Sequence, residues 1–178
     1  VGYARWAALH NLKQMSATMS LSHQYGFSSP EELDEALTAV NAEMQDSRSQ
    51  IKTLESTIRE KKELQRHVLD YAATKPTRDG LKAQKSDKAR RAYREQHESD
   101  FIIADAAKRY FQSHGIEKLP SSKKLQAEIN SLTAEKNGIY NTYREQRERV
   151  RELQTVKSNI DHILRREQSQ RKKQEIDR

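Results

Sequence analysis

The sequence predicts an all-α fold, an elongated coiled coil or helical bundle of about four helices, two of them very long. Three observations carry this. Of the 178 residues, 33% are charged and only 34% hydrophobic, with aromatics at 6%; a compact globule of this length carries more apolar residues, whereas narrow helical seams need fewer. Apolar residues recur at alternating spacings of three and four over two long stretches. No segment alternates at period two with β-branched residues, so no strand is expected.

The elements follow in order. Residues 1–25 hold a first helix, roughly Tyr3 to His23, closed by Gly26. In "FSSPEEL", Ser29 is placed as N-cap, Pro30 as the first helical residue and Glu32 as the partner of a capping box. A long coiled-coil helix is therefore expected over 29–74. Leu33, Leu37, Val40, Met44, Ile51, Leu54 and Ile58 form its seam, with Ser47 in the polar slot. Beyond Ile58 the stripe moves to Leu64, Val68 and Tyr71, which predicts a stutter near Lys61 and Lys62. Pro76 and Gly80 in "TKPTRDG" both disfavour continuation.

Residues 75–115 read as a basic connector and a third helix, roughly Asp87 to Ser113, stopped by Gly115. The apolar residues of "FIIADAAKRYF" cover more than one face, which predicts burial on two sides. After a short connection around Pro120, with Ser121 or Ser122 as cap, a second long coiled-coil helix is expected over 121–168. Its seam is Leu125, Ile129, Leu132, Ile139, Tyr143, Val150, Leu153, Ile160 and Leu164, with Lys136, Gln146 and Lys157 in polar slots. The spacing keeps its phase across Gly138, so that glycine is expected inside the helix. Residues 169–178 lose the apolar spacing and are expected to form a frayed basic tail. The last three helices either run up-down-up, or the third extends the rod and the fourth returns antiparallel along the second. Two long seams of matched length favour the second arrangement.

The chain carries +7 net charge and no cysteine. The charge favours a polyanionic partner. The lack of thiols excludes disulfides and thiolate metal ligation and is compatible with a reducing cytosol. No run approaches the roughly 20 apolar residues of a membrane span, so no membrane insertion is expected. The chain begins at Val1 rather than Met and reads as a fragment of a longer protein.

Catalytic chemistry finds little footing. The histidines, His10, His23, His67, His97, His114 and His162, never stand at metal-ligand spacing, so neither a metal nor another cofactor is expected. Carboxylates interleave with Lys and Arg, as in "REQRERVRE", and at spacings of three and four these are surface ion pairs. Tyr140 and Tyr143 raise the idea of a tyrosine nucleophile. Packing is the stronger reading, because Tyr143 is in register with the seam and Tyr140 lies on the neighbouring face. No catalytic residue is assigned and the chain is expected not to be an enzyme.

One stretch stands apart. Lys75, Arg78, Lys82, Lys85, Lys88, Arg90, Arg91 and Arg94 are opposed before Glu95 only by Asp79 and Asp87. They are candidates for DNA-phosphate contact, sequence-tolerant and salt-sensitive. A solvated helix face is the competing reading.

Several segments resemble a known family: "YARWAALHNLKQM", "DYAATKPTRDGLK", "EQHESDFIIADAAKRYF", "GIEKLPSSKKLQAEI" and "LTAEKNGIYNTYREQRERVRELQTVKSNIDHIL". From about Tyr3 to Leu164 the chain is similar to the region following the nuclease domain in relaxases, the mobilisation proteins of conjugative and mobilisable elements from Gram-positive bacteria. In that family the nuclease domain carries a histidine cluster, a divalent metal and a nucleophilic tyrosine; no position here matches that cluster. The resemblance implies a non-catalytic, cytoplasmic helical segment of a DNA-mobilising protein, one that grips DNA, contacts transfer-machinery proteins or self-associates as a homodimer. The rival is a structural coiled coil for protein docking or self-association, without DNA contact.

Overall fold

The computed structural model describes residues 29–176 together with Ser16, Ser20, His23, Gly26 and Phe27; side chains at 163–164, 166–168 and 170–176 lie outside that description. Of the helix expected over Tyr3 to His23, Ser16, Ser20 and His23 are described and are helical, and the rest lies outside the described residues, as do the side chains of Leu164 and of the basic tail beyond Ser169. The fold is all-α, with no strand among the described residues. The helices are α1 (Pro30–Ala73), α2 (Lys75–Ala83), α3 (Asp87–Gln96), α4 (Glu98–Ser113) and α5 (Ser122–Ile176).

Local chemistry sets the boundaries. Ser29 Oγ accepts from the Glu32 N–H, Ser86 Oγ from that of Ala89 and Ser121 Oγ from that of Lys124. These three caps satisfy N–H groups at the starts of α1, α3 and α5 that have no partner within their helices. Gly115 takes φ 63° after α4, the Ile116 N–H reaches Phe111 O at 2.9 Å and the Gly115 N–H reaches Gln112 O at 3.2 Å. That closure needs a left-handed residue, which glycine supplies, and it turns Ile116 back onto the core. α1 ends at Ala73, before Pro76, and Pro76 then sits in the first turn of α2.

The chain divides into two compact units, one of residues Val1–Gln50 with Ile139–Arg178, the other Ile51–Gly138. In the first, Leu33, Val40, Val150, Leu153 and Val156 form the core, with Leu37, Met44 and Ile160 against it. Leu153 and Val156 are wholly buried. The seam expected at Lys157 passes instead through Val156. A valine gains from burial what a lysine loses by desolvation, so the lysine stands at the edge and its ammonium pairs with Asp34. Val150, Leu153 and Val156 repeat a spacing of three, and the step of four to Ile160 restores the count.

In the second unit Val68, Ala107, Phe111 and Leu125 form the core, with Leu64, Tyr71, Tyr110 and Ile116 packed on it. α1 and α5 run antiparallel there: Glu55 meets Lys136 at 3.7 Å, Lys61 meets Glu128 at 2.7 Å and the Gln65 amide donates to Gln126 Oε1 at 3.0 Å. The expected stutter does not occur. Lys61 and Gln65 keep the original phase towards α5, while Leu64 and Tyr71 make a second stripe that packs with α4 residues. The stripe widens because this part of α1 has two partners.

Three further expectations are corrected. The connector after residue 75 is itself helical, and the expected third helix is broken at His97 into α3 and α4. α4 buries one side: Phe101, Ala104, Ala107 and Phe111 face inward, whereas Ile102 and Ile103 are 59% and 42% exposed. Finally, the backbone of α5 continues through 169–176, where fraying was expected. Gln, Arg, Lys and Glu are good helix formers and need no apolar seam to propagate a helix already begun.

Candidate nucleic-acid interface

The eight predicted cations lie on α2, the turn after it, and α3, all within the second unit. α2 and α3 fold back on each other as a helical hairpin. Its hinge is the extended Gln84 and the cap Ser86. Gly80 makes the close approach possible: a Cβ there would lie 2.2 Å from the Tyr93 hydroxyl oxygen and 2.8 Å from its Cζ. The Gln84 side-chain amide donates to Gly80 O, and the Arg90 Nε–H donates to Gln84 O at 3.1 Å. The hairpin is tied to α4 by Thr77, whose hydroxyl donates to Asp100, and by Arg94, which pairs with Asp105 at 3.3 Å.

The cations therefore fall into three groups. Arg78 is an anchor. Its guanidinium lies 3.5 Å over the Tyr71 ring centroid and donates to Tyr71 O at 2.6 Å, which commits it to packing at the α1–α2 junction. Lys82, Arg90 and Arg94 have carboxylate neighbours, Asp79 at 3.3 Å, Asp87 at 3.6 Å and Asp105 at 3.3 Å respectively. These are solvent-exposed pairs of the kind that exchange readily with other anions. Lys75, Lys85, Lys88 and Arg91 are exposed and form no ion pair among the described residues. Lys88 and Arg91 stand three residues apart on α3, one face of one helix.

Together these side chains give the hairpin an exposed, largely uncompensated positive charge. No group of three or more His, Asp or Glu residues is placed to hold a metal among the described residues. His67, Tyr110 and His114 do come together, which sequence spacing gave no sign of. The rings of His67 and His114 lie 4.1 and 4.0 Å from that of Tyr110, each at 25°. Burial, then the nearby Glu63 and Glu60 carboxylates, push the Tyr110 hydroxyl above its ordinary value. The stack packs α4 against α1.

The fold and site define a class, an all-α protein that displays a cationic helical hairpin. No family model matches the chain, and no curated protein or solved structure matches it either. No helix among the described residues is long and apolar enough to cross a membrane.

Proposed function

We propose that this chain is a non-catalytic helical region that holds DNA through its phosphates, as its resemblance to the region following the nuclease domain of relaxases implies. One observation carries the reading: Lys75, Lys85, Lys88 and Arg91 are exposed on or beside the hairpin without ion pairs among the described residues. Seam-side lysines are engaged, Lys61 with Glu128, Lys136 with Glu55 and Lys157 with Asp34. Uncompensated cations at close sequence spacing displace counterions from a nucleic-acid backbone, and this gives sequence-tolerant affinity.

The test is a titration against single- and double-stranded DNA at two salt concentrations. The quadruple variant Lys75→Glu, Lys85→Glu, Lys88→Glu, Arg91→Glu leaves the anchor Arg78 and the hairpin ties Arg90 and Arg94 in place. Affinity is expected to fall for every sequence, with the salt slope flattening by about one for each cation that holds a phosphate. Parent-like binding at low salt overturns the proposal. The second reading, a protein-docking or self-associating helical module, would then take over. Exposed Ile102 and Ile103 on α4 favour it.

A further inference from the structure

We infer that the outer face of α5 around Tyr140 is a stacking platform for single-stranded nucleic acid, with Tyr140 under an unpaired base and Arg144 and Arg147 on the flanking phosphates. This deepens, and rests on, the reading of the chain as a nucleic-acid-holding region. It lies on different residues, all within the first unit.

Three observations carry it. Tyr140 is 50% exposed, so the packing expected for it leaves much of the ring in water. Its ring is set 6.2 Å from that of the half-buried Tyr143 and inclined to it by 32°, which gives it a partly fixed footing. Tyr140, Arg144, Arg147 and Arg151 follow at spacings of four, three and four, one stripe along a continuous helix. Arg151 pairs with Glu148 at 3.0 Å, whereas Arg144 and Arg147 are exposed and form no ion pair among the described residues. Finally, Tyr140, Tyr143, Arg144 and Arg147 line one open surface trough. An aromatic ring and unengaged guanidinium groups thus meet in one concave place.

The geometry selects the ligand class. Every base has a π-face that a tyrosine ring can take, but inside a duplex both faces are already stacked. Glu145, Glu148 and Glu152 line the trough beside the arginines. Arg149 lines it too, so acids and bases interleave and the cationic lining is broken, which suits a single backbone better than a duplex with two.

The test uses the full chain and three probes of equal length: a thymidine oligonucleotide, an abasic strand and a blunt duplex. Tyr140→Ala is expected to weaken the thymidine oligonucleotide about five- to tenfold, the loss of one stacked base, and to leave the abasic strand and duplex unchanged. Tyr140→Phe retains binding, because the ring and not the hydroxyl is used. Arg144→Gln with Arg147→Gln weakens both single strands. Parent-like binding of the thymidine oligonucleotide by Tyr140→Ala, or equal weakening of the abasic strand, overturns the inference. The hairpin charge variant separates the two proposals. If it still weakens all three probes while Tyr140→Ala does nothing, the platform falls and the proposed function stands; if neither variant weakens binding, both fall.

Discussion

Single residues of the same type do different work here. Gly80 and Gly138 are both inside helices. Around Gly138 nothing lies within 4 Å of an added Cβ, whereas at Gly80 that Cβ meets the end of the Tyr93 ring. Gly138→Ala should therefore raise stability by about 1 kcal/mol through helix propensity alone. Gly80→Ala gains the same propensity but has to displace Tyr93, which is itself stacked 4.4 Å from His97. It should fall about 1–3 kcal/mol below Gly138→Ala, the ordinary cost of overpacking. Chemical denaturation of both variants checks the pair; equal midpoints would mean that Tyr93 is free to move. Arg78 makes the same point about charge. In the sequence it is one more cation in a run, and nothing in the spacing marks it as the one that covers Tyr71. Its role depends on a neighbour seven residues back across a helix break, which a linear pattern does not encode.

At the scale of elements, the seams were legible because burial imposes a period. Leu33, Val40, Leu125, Ile129, Val150 and Leu153 are all buried where the spacing predicts. The misplaced slot was Lys157, since a strict count took precedence over the chemistry of Val156 beside it. The missed helix α2 has another cause: Pro and Gly read as punctuation, yet proline suits a first turn and this glycine receives a ring. Leu153→Asp places a carboxylate at a wholly buried position and should cost about 3–5 kcal/mol, seen as a sharply lower Tm. Leu54→Asp, at a half-buried position, should cost less, and Glu148→Gln on the surface should stay within about 0.5 kcal/mol. A Leu153→Asp protein that melts like the parent would remove Leu153 from the core.

Across the whole molecule, ionised groups give stability a dependence on pH. The hydrogen bond from Lys61, with its charge, holds the Glu128 carboxyl below its usual range. Its contribution is therefore complete above the ordinary glutamate range and lost as pH falls through the depressed value. On the alkaline side, the hydrogen bond to Asp34 raises Lys157, and burial raises Tyr110. Both contribute fully below the pH at which the unfolded chain loses these protons, and that contribution disappears as pH rises through the folded values. Melting curves should show Glu128→Gln blunting the acid decline alone and Lys157→Met blunting the alkaline decline alone. The +7 net charge was plain from composition. Which cations are spent on internal contacts was not, because pairing depends on the turn after α2 and the break at His97. The Tyr140 platform was hidden for a related reason: a tyrosine next to a seam reads as packing until its exposure is measured.

The hairpin of α2 and α3 contributes no fully buried residue to the core; it is held by a ring set against a glycine and by polar ties. Such a segment can change its outward side chains without disturbing the packing that keeps the rest folded. Selection can therefore retune charge at Lys75, Lys85, Lys88 and Arg91 almost freely, while Gly80, Tyr93 and Arg78 are held. Among descendants of this chain, the hairpin should be the place where binding strength drifts fastest and the fold pays least attention.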